Sequence, residues 1–296
     1  MSNPNNVSLD YDKPNNDWLG SDIPEFNWRF KERKEESNQP SDNFLINVRN
    51  YVVEKSKSEE FFHLMNPVIH KLNSRVVESI NESFLDWGKT ASYTEVVEFL
   101  ADSMGIEMPA IEKNIISIAE RHRYPIAMFD DKGYKIRFFV DEQKQTTDED
   151  DDDTFLKSIE IISHEMWHAY QHSEVVKGGN RAKIYEPGQK FTAEEIKKPE
   201  NYLAYLKQPI ETEAYVFGKI FSVRFAKNLE NYLNKECENN KKIISEQNCK
   251  EIDPWLTSDI ERTRRRLEIT REFLNKNDEI KKVSDTWDYP IGVQNH

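Results

Sequence analysis

The sequence predicts an α+β fold that is mainly helical and carries one small β-hairpin. Three observations predict it. Apolar residues recur at helical spacing over most of the chain. Short β-type runs are confined to Pro125–Phe129 and Tyr134–Asp141, split by the turn sequence Asp130-Asp131-Lys132-Gly133. No stretch of about 18 apolar residues occurs, so no membrane-spanning helix is expected. The 296 residues are 37% apolar and 32% charged, with 16 Phe, 12 Tyr and 6 Trp to supply a core. Lys plus Arg total 41 and Asp plus Glu 54, a net charge of -13. Such an acidic chain is a poor partner for nucleic acid or for anionic lipid, which need cationic surfaces.

The elements follow in order. Residues 1–42 are rich in Asn, Asp, Pro, Ser, Lys and Glu, interrupted by Trp18 and by Phe26, Trp28 and Phe30. We expect a disordered or extended arm. Residues 43–123 read as a helical region. Phe44, Leu45, Val48, Tyr51 and Val52 mark its first helix, and Glu59–Leu85 the next, with Pro67 a break or kink. Tyr93–Met104 and Pro109–Arg121 are expected to be two more; Ile111, Ile115, Ile118 and Ala119 give the latter an apolar face. Residues 124–236 form the expected core unit. It has the hairpin, an acidic loop at Asp148–Asp153, a helix from Thr154, a loop with Gly178, Gly179, Pro187 and Gly188, and helices at Glu200–Lys207 and Pro209–Glu236. Residues 237–296 are expected to hold one further helix, Ser258–Asn275, and a tail. The opening MSNPNNVSLD lacks the features of a secretory signal, and the two cysteines, Cys237 and Cys249, make no disulfide framework. The expectation is a cytoplasmic protein, or one exported by a signal-peptide-independent system.

One segment of the Thr154 helix carries chemistry: His164-Glu165-Met166-Trp167-His168, an HExxH motif. Residues four apart lie one turn above each other on one helix face, so two imidazoles can hold one zinc ion. Glu165 then projects beside the metal, where it can act as general base toward water. With 7 His in the chain, HExxH arises by chance about 1–2% of the time. The plain alternative is an exposed helix that happens to bear two histidines. A catalytic zinc needs a third protein ligand and an open position. His172, one turn beyond His168, is expected to flank the cleft.

The segment Pro209–Phe217 offers two acidic candidates. HExxH followed on a later helix by Glu and a small residue resembles the gluzincin class of zincin metallopeptidases, and Glu213-Ala214 fits that pattern best. Glu211 lies about 200° away around a helix, so Glu211 and Glu213 cannot both face one metal. The resemblance covers Tyr124 to Phe225 and is nearest in pattern to ImmA/IrrE-type and toxin-type zincins. It implies a zincin-like core with a small sheet packed on the HExxH helix. It also implies one Zn2+ per chain held by His164, His168 and Glu213, with Glu165 activating water. Phe217 stands four after Glu213, where thermolysin-like enzymes have an Asp supporting a zinc histidine, so that support must come from elsewhere.

In zincins an edge strand above the active helix pairs with extended substrate, a role that would fall to Tyr134–Asp141; an ordinary structural strand is the alternative. Tyr205 is the preferred oxyanion donor, ahead of Tyr202 and Tyr215. The acidic run and the cluster Arg262 and Arg264–Arg266 read as a solvated loop and as intrahelical ion pairs. The implied activity is a zinc metalloendopeptidase with a protein or peptide substrate, its helical N-terminal region available to a partner protein. A catalytically silent scaffold and a translocated effector protease remain as alternatives.

Overall fold

The structure is a computed structural model that describes residues 42–86, 88–116, 127–141, 152–185, 199–246 and 254–287. The N-terminal arm, Cys249, His122, His296 and the acidic run up to Asp151 lie outside the described residues. Helices α1 (Asp42–Ser56), α2 (Glu59–Ile69), α3 (Ser74–Asp86) and α4 (Lys89–Met104) come first. Strands β1 (Ala110–Ile116), β2 (Ala127–Asp130) and β3 (Lys135–Asp141) follow. Helices α5 (Asp152–Val176), α6 (Pro199–Leu206), α7 (Pro209–Glu246), α8 (Pro254–Lys276) and α9 (Asp278–Thr286) complete the described chain. No helix among the described residues is long and apolar enough to cross a membrane.

Local chemistry explains the boundaries. Pro67 sits inside α2, and the break falls after Ile69, where Asn73 accepts the N–H groups of Arg75 and Val76 at 3.0 and 3.2 Å and so caps α3. α5 stops at Gly178, whose φ of 65° is left-handed. The bonds Gly179 N–H to Glu174 C=O and Gly178 N–H to Val175 C=O close that end. α7 runs ten residues beyond the expected Glu236, and α9 was not foreseen.

The sheet has the order β1-β3-β2. β2 and β3 form the expected antiparallel hairpin. β1 runs parallel to β3, pairing Ile111 with Ile136 and Ile115 with Val140. This corrects the expected helix Pro109–Arg121. Ile111 and Ile115 are four apart, and that spacing shares a face in a strand as well as in a helix. The β-branched residues and a partner strand with an open edge decide for the strand. β3 is therefore the central strand with both edges paired, and β2 is an outer strand, which corrects the expectation of Tyr134–Asp141 as the edge. In the hairpin turn the left-handed residue is Tyr134 (φ 44°), not Gly133. Such a residue costs roughly 1–3 kcal/mol. Its hydroxyl donates to the Glu107 carbonyl at 2.8 Å, and its ring packs on Phe129 and His172.

α5 packs most extensively on α7 and also touches β2, α4 and α8. Gly218 permits the closest approach: a Cβ there would lie 2.8 Å from the Glu160 carbonyl and 3.3 Å from His164 Cβ. One hydrophobic core runs from Val52 of α1 through Phe84, Phe138, Trp167 and Phe217 to Trp287. Of the basic cluster on α8, Arg262 pairs with Asp259 at 2.8 Å, whereas Arg266 is buried over the rings of Phe84 and Phe155.

Candidate metal centre

α5 presents His164 and His168 from consecutive turns, and their Nε2 atoms converge to 3.0 Å. His164 is buried and His168 nearly so. Glu165, between them, is 1% exposed. Its Oε2 accepts the Phe129 N–H at 2.9 Å, so β2 clamps one carboxylate oxygen. Its Oε1 is buried with no hydrogen-bond partner.

α7 supplies the third group. The sequence expectation put Glu213 at this point; the structure puts Glu211 there instead. Glu211 Oε2 lies 3.8 Å from His164 Nε2 and 3.6 Å from His168 Nε2. One ligand atom each from His164, His168 and Glu211 lie within 4.8 Å of one another, the one such set of His, Cys, Asp and Glu side chains among the described residues. The reason is helix phase. Gly218 marks the face of α7 that touches α5, and Glu211, seven residues earlier, is only about 20° from it around the cylinder. Glu213 is far off that phase. It turns to the side of the site, where Trp167 Nε1 donates to it at 3.3 Å, the Tyr185 hydroxyl at 2.7 Å and Gln171 Nε2 at 3.4 Å, and Arg181 pairs with its other oxygen.

Burial and charge set the protonation. Burial, helped by the charge of His168, holds His164 well below the usual imidazole range. Burial alone would lower His168, but the Glu211 and Glu165 carboxylates and the bond to Gln171 push it up to about 9. Glu165 is pushed up to about 7 by burial, against the opposing pull of His168 and the Phe129 N–H.

The tyrosines gather on the α6–α7 side. Tyr205 is buried beside Glu211, and burial and that carboxylate raise its phenol well above the usual range. Tyr202 and Tyr215 share a hydroxyl contact of 2.7 Å, and the Tyr215 ring meets His164 edge-on at 4.8 Å. Phe217 stacks on Trp167 at 4.4 Å and belongs to the core. His172, one turn beyond His168, packs its ring on Phe129 and Tyr134. Sequence reasoning missed Gln171, Arg181 and Tyr185. Gln171 had a readable signal, lying three after His168 on the same helix face.

The residues fit a zinc ion on two grounds. The donor set is two imidazoles and a carboxylate, a set zinc accepts with a fourth position open. Glu165 Oε1 is a buried carboxylate oxygen without a hydrogen-bond partner, which is costly unless a cation or water meets it. Comparison with protein-family models, with curated proteins and with solved structures finds no match.

Proposed function

We propose that the chain is a zinc-dependent metalloendopeptidase acting on a protein or peptide substrate. The observation that carries this is the convergence of His164, His168 and Glu211 on one point with the unpartnered oxygen of Glu165 beside it. His164, His168 and Glu211 would hold the ion, in place of the expected set with Glu213. When bound in such a site, zinc supplies a Lewis acid and lowers the pKa of water to about 7. Glu165 takes the proton of the attacking water and returns it to the leaving amine. The Phe129 N–H fixes which oxygen does so, since Oε2 is engaged and Oε1 is not. Tyr205 and Tyr215 are the hydroxyls on the α6–α7 side that can meet negative charge developing on the carbonyl oxygen. β3 is paired on both sides, so an extended substrate would pair with an outer strand, and β2 is the outer strand that reaches Glu165.

The test is metal content by mass spectrometry on untagged protein, followed by cleavage of a peptide library. We expect about one zinc per chain, lost in His164→Ala and kept in Glu165→Gln, with cleavage lost in both. Wild-type protein that takes up no supplied zinc overturns the reading, as does undiminished cleavage by Glu165→Gln.

A further inference from the structure

The His168 ring is held on the side away from Glu211, and the holder can be identified atom by atom. Its Nδ1 lies 2.8 Å from Gln171 Oε1. The amide of Gln171 has one orientation here. Its Nε2 lies 2.9 Å from the Ile210 carbonyl, which can only accept, and 3.4 Å from Glu213, a carboxylate that accepts. The oxygen must therefore face His168, and an amide oxygen can only accept. Nδ1 carries a hydrogen, which leaves Nε2 as the atom turned toward His164 and Glu211.

Behind Gln171, beside the Ile210 carbonyl, stands Glu213. It is 1% exposed and is held by Trp167, Tyr185 and Arg181 from three directions. Arg181 and Tyr185 belong to the segment after α5, and Arg181 also bonds Glu60 of α2 at 3.0 Å. The chain from α2 to His168 is thus continuous: Glu60, Arg181, Glu213, Gln171, His168.

We propose that Gln171, locked by the Ile210 carbonyl and Glu213, is the positioning residue that fixes the orientation of His168 for metal binding, the part that the thermolysin-like pattern gives to an Asp four after its zinc glutamate. This rests on the metallopeptidase reading. Here the position four after Glu211 is Tyr215, whose ring packs on the other histidine.

The experiment measures zinc affinity of the full chain by competition with a chromophoric chelator, with helical content and Tm recorded in parallel. Gln171→Met keeps the volume and removes both the acceptor and the donors. It is expected to weaken zinc about 10–100-fold, as loss of the group behind a metal histidine does. The variant Gln171→Glu, protonated on one oxygen in this buried place, keeps an acceptor for Nδ1 and a donor for the Ile210 carbonyl. It is expected to recover at least half of that loss on a logarithmic scale. A merely structural role would lower Tm in both variants without this recovery. Wild-type protein that binds zinc, with Gln171→Met binding it equally tightly, overturns this inference alone. Should Gln171→Met fail to fold, Gln171→Glu decides, since affinity as weak as that of His168→Ala overturns the inference too. Wild-type protein that binds no zinc overturns the metallopeptidase reading, and this one with it.

Discussion

Glu211 and Glu213 are two positions apart and end in opposite settings. Glu213 is matched by Arg181, Tyr185, Trp167 and Gln171, so its charge is already balanced. Glu211 has no such cage: its Oε2 faces the two imidazoles across 3.6–3.8 Å. The two alanine variants should therefore separate. Glu211→Ala removes a proposed ligand, and we expect zinc content to fall to the level of His164→Ala while the fold persists. Glu213→Ala keeps the three proposed ligands. Its larger effect is on stability, because it leaves Arg181 half-compensated in a partly buried place. Breaking a buried pair costs about 3–5 kcal/mol. Arg181 keeps Glu60 and some solvent, so we expect about 3 kcal/mol, read from chemical denaturation. Zinc lost from Glu213→Ala but kept in Glu211→Ala would reverse the assignment. The HExxH residues were legible because one element fixes their spacing. The choice between the two glutamates was not, because it depends on which face of α7 meets α5. Gly218 carried that phase, but a glycine inside a helix shows its purpose only once the neighbouring backbone is in place.

At the scale of elements, the junction of α5 and α7 sets the site. Gly218→Ala sets two effects against each other. Alanine in place of glycine favours a helix interior by about 1 kcal/mol. Against it, the new methyl would lie 2.8 Å from a backbone carbonyl that cannot swing aside, so the helices must separate. Overpacking of this kind costs about 1–3 kcal/mol, so the net sign is destabilising. The separation also moves Glu211 away from the histidines. We expect a lower Tm and weaker zinc binding together, whereas a gain in Tm would show that the junction is looser than the contact implies. The β1 segment makes the complementary point about legibility. Its apolar spacing suited either period, and its conformation follows from the open edge of β3, a partner twenty-odd residues further along. The hairpin was legible because its pairing is local and its turn residues are specific.

The helices before the sheet are part of the same structure as the site. Phe84 of α3 stacks on Phe155 of α5 at 4.2 Å, and both cover the Arg266 guanidinium. Phe99 of α4 meets Phe221 of α7, and Tyr93 stacks on Phe138 of β3. The sequence division at residue 124 follows a real change in texture, yet side chains from both sides of it fill one core. That continuity has a thermodynamic consequence. If the core is one cooperative unit, a ligand bound by α5 and α7 stabilises α3 as well. A ligand at about 100 times its Kd adds about 2.7 kcal/mol to whatever unfolds with its site. Phe84→Ala, far from the histidines in the chain, should cost about 3–5 kcal/mol. We expect one thermal transition by circular dichroism, lowered by Phe84→Ala and raised again by saturating zinc. Two transitions, with Phe84→Ala moving one and zinc moving only the other, would show that the first helices fold apart from the metal centre. The link from Glu60 through Arg181 would then carry little, because Glu60 is 61% exposed and a surface pair contributes about 0–1 kcal/mol. The shared aromatic core, rather than that ion pair, is what makes the single transition the expected result.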